Sequence, residues 1–152
     1  MGPMKHLVSA AAAAAVSFIF TRDITFAAVC GASCVLPDLD HLLEYIVYKK
    51  GKWNRKEFWS GRYFEEKGTI YVMFHSFELA FLLGLLCVGN ILWKQPMLNY
   101  AWAITIGYYI HLTLDVIGND CVKWGYSTIF RWKQQWKLDK ICENETCAGG
   151  QK

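Results

Sequence analysis

Long apolar runs alternate along the chain with short, densely charged segments. Four runs are apolar enough to be helical spans: 7–20, 24–36, 69–93 and 97–118. Residues 5–43 and 68–118 make up 90 positions and carry eight of the 29 charged residues, whereas the other 62 positions carry 21. A bilayer imposes this segregation because an ionisable group in hydrocarbon costs several kcal/mol. The pattern predicts an integral membrane protein.

The first two runs are shorter than the roughly 20 residues that a helical span needs. The first can begin at Met4 and the second can continue past Pro37. The turn-sized break at 21–23 between them predicts a helical hairpin. We therefore predict an all-α integral membrane bundle of about four transmembrane helices. The alternative for the N-terminus is a cleavable signal peptide, because Lys5 precedes an alanine-rich apolar stretch.

Basic residues predict the organisation and the orientation of this bundle. Residues 1–120 form the transmembrane domain, with the loop 48–68 in the cytoplasm or at the interface, and residues 121–152 form a cytoplasmic juxtamembrane tail. Fourteen of the 16 basic residues fall on the side of this loop and both termini, against Arg22 and Lys94 on the other. The positive-inside rule then predicts a multi-pass protein of the cell inner (plasma) membrane with both termini cytoplasmic.

The loop and the tail mix tryptophan with lysine and arginine, which is typical of segments at headgroup level. In the tail, Ile129, Trp132 and Trp136 fall on one side of a helix, whereas Arg131 and Gln135 fall on the other. The basic residues form no recognisable nucleic-acid motif, so the expected partner is the lipid bilayer and not a nucleic acid. The oligomeric state is left open.

All four histidines lie in or at the ends of the predicted spans. Three of them have a carboxylate at helical spacing, which places both side chains on one helix face: Asp38 with His41, His75 with Glu78, and His111 with Asp115. His6 lies in the first turn of the first span. With the N-terminus in the cytoplasm, all of these positions fall at the cytoplasmic face, so the groups can converge.

Neutral imidazole and carboxylate are standard ligands for zinc and related divalent ions, with manganese and iron as alternatives. The predicted ligands are His6, Asp38, Asp40, His41, His75, His111 and Asp115. Together with Glu78 they exceed what one tetrahedral ion uses, so we expect one ion or two sharing a carboxylate. Asp40 and Glu78 are the candidate catalytic carboxylates, and either could instead orient a ligating imidazole.

Small residues in the spans are predicted to pack and not to react: Cys30, Cys34, Cys87, Gly84, Gly89 and Gly107. Three cysteines fall in the predicted cytoplasmic tail, where thiols stay reduced: Cys121, Cys142 and Cys147. The spacing of the last two is too isolated to indicate a zinc site.

Three short motifs resemble those of a known family. The motifs are LPDLDH at 36–41, FHS at 74–76 and HLTLD at 111–115, with His6 just before an alanine-rich apolar helix. They resemble the membrane-bound metal-dependent hydrolases of the LexA-regulated inner-membrane type, which are distantly similar to zinc-dependent phospholipase C and the P1-type nucleases. The resemblance extends to about Gly118.

This resemblance implies a phosphoesterase-like enzyme that cleaves a phosphoester, such as a lipid headgroup, with metal-activated water at the cytoplasmic membrane face. By motif the ligands would be His6, Asp38 or Asp40, His75, His111 and Asp115, with Asp115 as the bridge and Asp40 as the base. The family often has a basic residue and a threonine before its His-Ser pair. Here Met73 and Phe74 precede His75, and the nearest arginine is Arg62. The group that would neutralise a substrate phosphate is therefore not identified.

Two other functions fit the same residues. A divalent-metal transporter or sensor would hold an ion in transit, although transporter sites usually lie near the membrane midplane in repeated halves, and no internal repeat is visible. A non-catalytic membrane scaffold would use the polar cluster to lock the bundle.

Overall fold

The computed structural model describes residues 3–94, 99–119 and 121–142. Within these ranges the chain forms helices and two isolated β-bridges. The elements are α1 Pro3–Thr21, α2 Ile24–Ser33, a 3-10 helix Leu36–Asp38, α3 Leu39–Tyr48, α4 Arg55–Ser60, α5 Arg62–Lys67, α6 Phe77–Trp93, α7 Asn99–Gly118, α8 Thr128–Lys133 and α9 Leu138–Ile141. The prediction of an all-α protein is confirmed over the described residues.

The first two apolar runs form the expected helical hairpin. Arg22 closes the turn with a positive φ of 54°. The carboxylate of Asp23 then caps α2 by accepting from the backbone amides of Thr25 and Phe26, at 2.8 and 3.0 Å. These bonds satisfy two of the amides that a helix start leaves without partners.

The second apolar run continues past Leu36, as expected. Pro37 lies in the 3-10 helix Leu36–Asp38, between the end of α2 at Ser33 and the start of α3 at Leu39. Ile24–Tyr48 is the stretch of the described chain that is long and apolar enough to cross a membrane, whereas His6–Thr21 and Phe77–Trp93 are shorter apolar helices. One stretch of the described chain therefore has the length and hydropathy of a span, and the bundle of four is not confirmed.

The third predicted span starts in the wrong place. The helix begins at Phe77 and not at Thr69, because Ser76 is an extended N-cap whose hydroxyl accepts from the amide of Leu79. Residues 69–76 run as a non-helical segment instead, and the amide of Ile70 donates to the carbonyl of Trp136 at 3.0 Å. The fourth predicted span corresponds to α7, which the structure describes from Asn99. Its predicted start at Met97 lies outside the described residues.

Small residues form the contact between α1, α2 and α7. Ala13, Cys30 and Ala103 are buried together there. A Cβ added at Gly107 would lie 2.2 Å from the backbone oxygen of Cys30, so close approach at this glycine is confirmed. Cys34 and Cys87 are also buried, as predicted. A Cβ added at Gly84 would make an ordinary van der Waals contact. A Cβ added at Gly89 would meet the ring of Trp93, which belongs to the same helix.

A second region packs over one end of these helices. It consists of residues 53–76 and 121–142, which we call the cover. Its two parts are joined by backbone hydrogen bonds, including Leu138 to Gly68 at 3.0 Å, and the amide of Phe77 donates to Tyr126. Tyr45 of α3 packs with buried aromatic residues of the cover. The boundary predicted at residue 120 stays a prediction, and residues 143–152 lie outside the described chain.

The outer face of the cover carries aromatic residues. Trp132 and Ile129 in α8 are exposed, as are Trp53, Trp59 and Trp124. Arg131, between the first two in sequence, is buried. Ile129 and Trp132 thus face outward and Arg131 inward, as predicted, which suits contact with lipid headgroups. The helix ends at Lys133, however, so Gln135 and Trp136, both with positive φ, do not extend its two faces as the sequence predicted.

Candidate metal centre and its cavity

The structure brings six of the predicted ligands to one end of the helices. They come from separate parts of the chain: His6 on α1, Asp38 at the end of the 3-10 helix, His41 on α3, His75 in the non-helical segment before α6, and His111 and Asp115 on α7. His6, His75, His111 and Asp115 are buried, while the side chain of Asp38 keeps 31% of its surface accessible.

Asp115 contacts three histidines. Its Oδ1 lies 3.1 Å from Nε2 of His6, and its Oδ2 lies 3.2 Å from Nε2 of both His75 and His111. Asp38 adds a second carboxylate, with Oδ1 at 3.5 Å from His75 Nε2 and 3.8 Å from His111 Nε2. The polar atoms of several elements therefore converge on a small volume.

The hydrogen bonds behind the imidazoles determine which nitrogens face this volume. Nδ1 of His111 lies 2.9 Å from the carbonyl of Cys34, which can only accept, so Nδ1 carries the proton. In the neutral ring Nε2 then has a free lone pair. It faces Nε2 of His75 at 2.9 Å and the oxygens of Asp38 and Asp115. A concentration of lone pairs of this kind suits a cation.

The spacing of these atoms fits ligands of a metal ion. A tetrahedral zinc ion with bonds of about 2.0–2.1 Å separates its ligand atoms by about 3.3 Å. Two groups meet the condition that all ligand atoms lie within 4.8 Å of one another: His6, Asp38, His111 and Asp115, and then Asp38, His41 and His75. The shared residue is Asp38, whereas the resemblance implied Asp115 as the bridge.

Two buried imidazole nitrogens support the same interpretation. Nδ1 of His6 and Nδ1 of His41 have no hydrogen-bond partner among the described residues. In a purely structural network each buried nitrogen should have a partner, because leaving one unsatisfied costs about 1–3 kcal/mol. The donor set, the spacing and these nitrogens together fit a site for one or two divalent ions.

Asp40 lies behind the cluster and not in its centre. Its Oδ2 accepts from the amide of Phe74 at 2.7 Å and lies 3.2 Å from Nδ1 of His75. This is the arrangement of a carboxylate that orients a ligating imidazole. Asp40 belongs to neither ligand group over the described residues.

Glu78 has a different environment. It lies in the first turn of α6 and accepts from the Ser127 hydroxyl and from the amides of Thr128 and Ile129 at 2.9 and 3.2 Å. These contacts cap the start of α8. Because His75 precedes the helix, the i,i+3 spacing that paired it with Glu78 does not describe a shared helix face. Among the described residues, Glu78 belongs to neither ligand group.

A cavity of about 490 Å³ opens above the cluster. His6, Asp38, His41, His75 and Asp115 lie along it, and most of its remaining wall is apolar: Leu7, Val35, Leu39, Trp53, Phe58 and Ile70. The volume is in the range of sites for small organic ligands. Tyr63 also borders it, and burial raises the pKa of this phenol, which donates to the carbonyl of His41. The cavity combines charged ligands with an apolar wall.

Comparison with known proteins gives one family. The model of the YdjM inner membrane protein family matches residues 1–133, which include every member of the cluster. The chain belongs to the YdjM family. No curated protein and no solved structure matches it. Membership in the YdjM family gives an inner-membrane, lipid-bilayer environment, and the family description names no activity.

Sequence reasoning missed Arg131, which the YdjM match also includes. Its side chain is 2% exposed, and its guanidinium donates to three backbone carbonyls, those of Val72, His75 and Gly125. Arg131 therefore holds the segment that carries His75, and it borders the same cavity. The sequence signal that could have identified Arg131 is its position on the side of a short helix opposite the apolar residues.

Proposed function

We propose that this YdjM-family protein is a membrane-embedded metal-dependent hydrolase that cleaves a phosphoester with an apolar substituent at the cytoplasmic membrane face. The observation that carries the proposal is the position of the His/Asp cluster along a largely apolar cavity. A site built only to lock the bundle would have no need of a cavity beside its polar groups.

Six residues would hold the metal: His6, Asp38, His41, His75, His111 and Asp115. Zinc is the first candidate because the set mixes imidazole with carboxylate, and manganese and iron are the alternatives. When bound, such an ion supplies Lewis-acid stabilisation of a phosphoryl oxygen and activates water. With Asp38 common to both ligand groups, the residues suffice for one ion or for two.

Asp38 has the most suitable position for proton transfer. It offers one oxygen to the ligand groups, and because it borders the cavity and keeps 31% of its side-chain surface accessible, its other oxygen can accept a proton from an incoming water. Asp40 was the base implied by the resemblance, but it faces the Nδ1 side of His75. We assign Asp40 to orientation of that imidazole and Asp38 to the proton.

The apolar wall supports an amphiphilic substrate. Leu39, Trp53 and Phe58 offer apolar surface for an acyl or isoprenoid group, and the carboxylates and imidazoles of the cluster line the same cavity. Burying apolar area contributes about 25 cal/mol per Å², so such a substituent would contribute strongly to binding. A lipid phosphoester has both parts.

A multi-pass arrangement with cytoplasmic termini belongs to the same proposal. The contacts among α1, α2 and α7 are made by small residues such as Ala13 and Ala103, whereas large apolar side chains such as Phe20 and Ile117 are exposed. Small residues inside and large apolar residues outside are typical of helices packed in lipid. Under this proposal, α1, α6 and α7 also lie in the bilayer.

The test uses the purified full-length protein in nanodiscs, loaded with zinc or manganese. Short-chain phospholipids and a water-soluble phosphodiester are compared, and release of phosphate or headgroup is measured. We expect turnover of the lipid at a higher kcat/KM than of the soluble ester. Asp38→Asn should abolish turnover, while Glu78→Gln, the matched carboxylate outside the cluster, should retain it.

Other outcomes would contradict the proposal. Metal-loaded protein with no turnover of any phosphoester, but with metal uptake into sealed vesicles, would establish the transporter alternative. Wild-type protein that folds and binds no metal would exclude both the enzyme and the transporter and leave the scaffold.

A further inference from the structure

The structure pairs two cysteines of the cover. Cys121 and Cys142 form an isolated antiparallel β-bridge. Their amides donate to Asn119 and Leu138, and the cross-strand bond is made next to them, from Val122 to Ile141 at 3.0 Å. The two cysteines are thus a non-hydrogen-bonded antiparallel pair, whose Cα atoms typically lie about 4.5 Å apart. A disulfide needs about 4.4–6.8 Å.

The two thiols are also in contact through their side chains. We propose that Cys121 and Cys142, which stay reduced in a reducing cytoplasm, form a reversible disulfide under oxidation, and that this bond clamps the C-terminal part of the cover over the cavity. The inference does not depend on hydrolysis, because it concerns how the cover is held and not what the cluster does.

The surroundings of the pair favour thiol exchange. A hydrogen bond with Cys142 lowers the pKa of the Cys121 thiol, and the Tyr126 hydroxyl acts in the same direction. Both cysteines border the open cavity and are partly exposed. Cys87, by comparison, is buried among the helices. A more acidic, reachable thiol is the one that reacts with a small disulfide.

The oxidant is a low-molecular-weight disulfide such as oxidised glutathione. The Cys121 thiolate attacks one of its sulfurs, the S–S bond breaks, and one thiolate leaves. The Cys142 thiol, losing its proton, then attacks the Cys121 sulfur of the mixed disulfide and expels the second thiolate. The protein loses two electrons and two protons, and two molecules of the small thiol are formed.

Closing this bond would tie both ends of the segment that contains Arg131. Residues 122–141 would become a closed loop, with Arg131 near its centre holding the carbonyl of His75. Because a closed loop of this length restricts the unfolded chain, oxidation should stabilise the cover.

The experiment equilibrates the full-length protein in membranes with glutathione at ratios from fully reduced to fully oxidised. Remaining thiols are trapped with a maleimide, and peptides are mapped by mass spectrometry. We expect a linked peptide pair, Cys121 with Cys142, that disappears on reduction, and a Tm several degrees higher in the oxidised protein. Cys87→Ser should leave both results unchanged.

Each cysteine is also replaced separately, so that the test remains decisive if one of the two variants folds poorly. Cys121→Ser and Cys142→Ser should each remove the linked pair and the redox-dependent change in Tm. The proposal is overturned if both thiols stay fully alkylated at every glutathione ratio. Exclusive pairing of either one with Cys147 would overturn it as well.

Discussion

The metal centre lies between two regions that are built in different ways. On the bundle side, α1 presents His6 and α7 presents His111 and Asp115, and these two helices pack with α2 through small residues. On the cover side, His75 lies in a non-helical segment that is held by backbone hydrogen bonds and by the guanidinium of Arg131. Helix packing thus positions the ligands on one side of the cluster, whereas the buried side chain of Arg131 helps to position His75 on the other.

This difference determines how each side should fail. Many contacts between small residues hold the helices together. Crowding at one position should therefore lower the free energy of unfolding by only a few kcal/mol. In the cover, the guanidinium of one residue, Arg131, donates to three carbonyls in addition to the backbone hydrogen bonds, so its loss should loosen the segment that carries His75.

The largest effect on stability is expected for Arg131→Met. The substitution keeps an apolar stem but leaves the carbonyls of Val72, His75 and Gly125 without their donor, at a cost of about 3 kcal/mol or more. Thermal unfolding in detergent should show a lower Tm, with weaker metal binding as well. Lys133→Met, an exposed change on the same helix, is the control. Equal stability of the two variants would mean that Arg131 does not anchor the cover.

On the bundle side, Gly107→Ala should cost about 1–3 kcal/mol, because the new Cβ would lie 2.2 Å from the carbonyl oxygen of Cys30. Gly84→Ala is the matched control, since its Cβ would make only an ordinary contact with Tyr109. Alanine also favours a helix over glycine, so the control should be neutral or slightly stabilising. Chemical unfolding followed by circular dichroism measures both, and a neutral Gly107→Ala would contradict the close packing.

The contact of Asp40 with His75 connects the helices to the cover. Asp40→Asn keeps the shape but removes the charge that orients the imidazole, so metal affinity should fall about 10- to 100-fold. Competition with a chromogenic chelator measures the change. Asp139→Asn, at an exposed position, should leave the affinity unchanged. An unchanged affinity in Asp40→Asn would remove Asp40 from the site.

The smallest effect is expected for Glu78→Gln. The charge that caps the amides of Thr128 and Ile129 is lost, which should cost about 1 kcal/mol of stability. Metal content should stay at the wild-type level. A loss of bound metal in this variant would instead return Glu78 to the cluster, where its spacing from His75 had placed it.

The sequence predicted the bundle side well because its signals are periodic and local. The apolar runs predicted the α1–α2 hairpin, and the i,i+4 spacing placed His111 and Asp115 on one face of α7, where both contact the cluster. The convergence of His6 and Asp38 on the same point followed from the predicted threading of the spans.

The cover could not be predicted in the same way. The segment 69–76 is as apolar as a span, and only its pairing with residues near Trp136, far along the chain, makes it non-helical. Helical spacing was therefore applied to His75 and Glu78 where no shared helix exists. Arg131 was missed for the same reason, since its partners are backbone carbonyls that carry no residue signature.

The central claim is that the cluster is a metal site, and the most direct test is the metal content of the purified protein measured by plasma mass spectrometry. We predict one or two zinc, manganese or iron ions per wild-type chain. His111→Ala and Asp115→Asn should fall to background at unchanged helical content. Folded wild-type protein without bound metal, or variants that keep the full complement, would contradict the account.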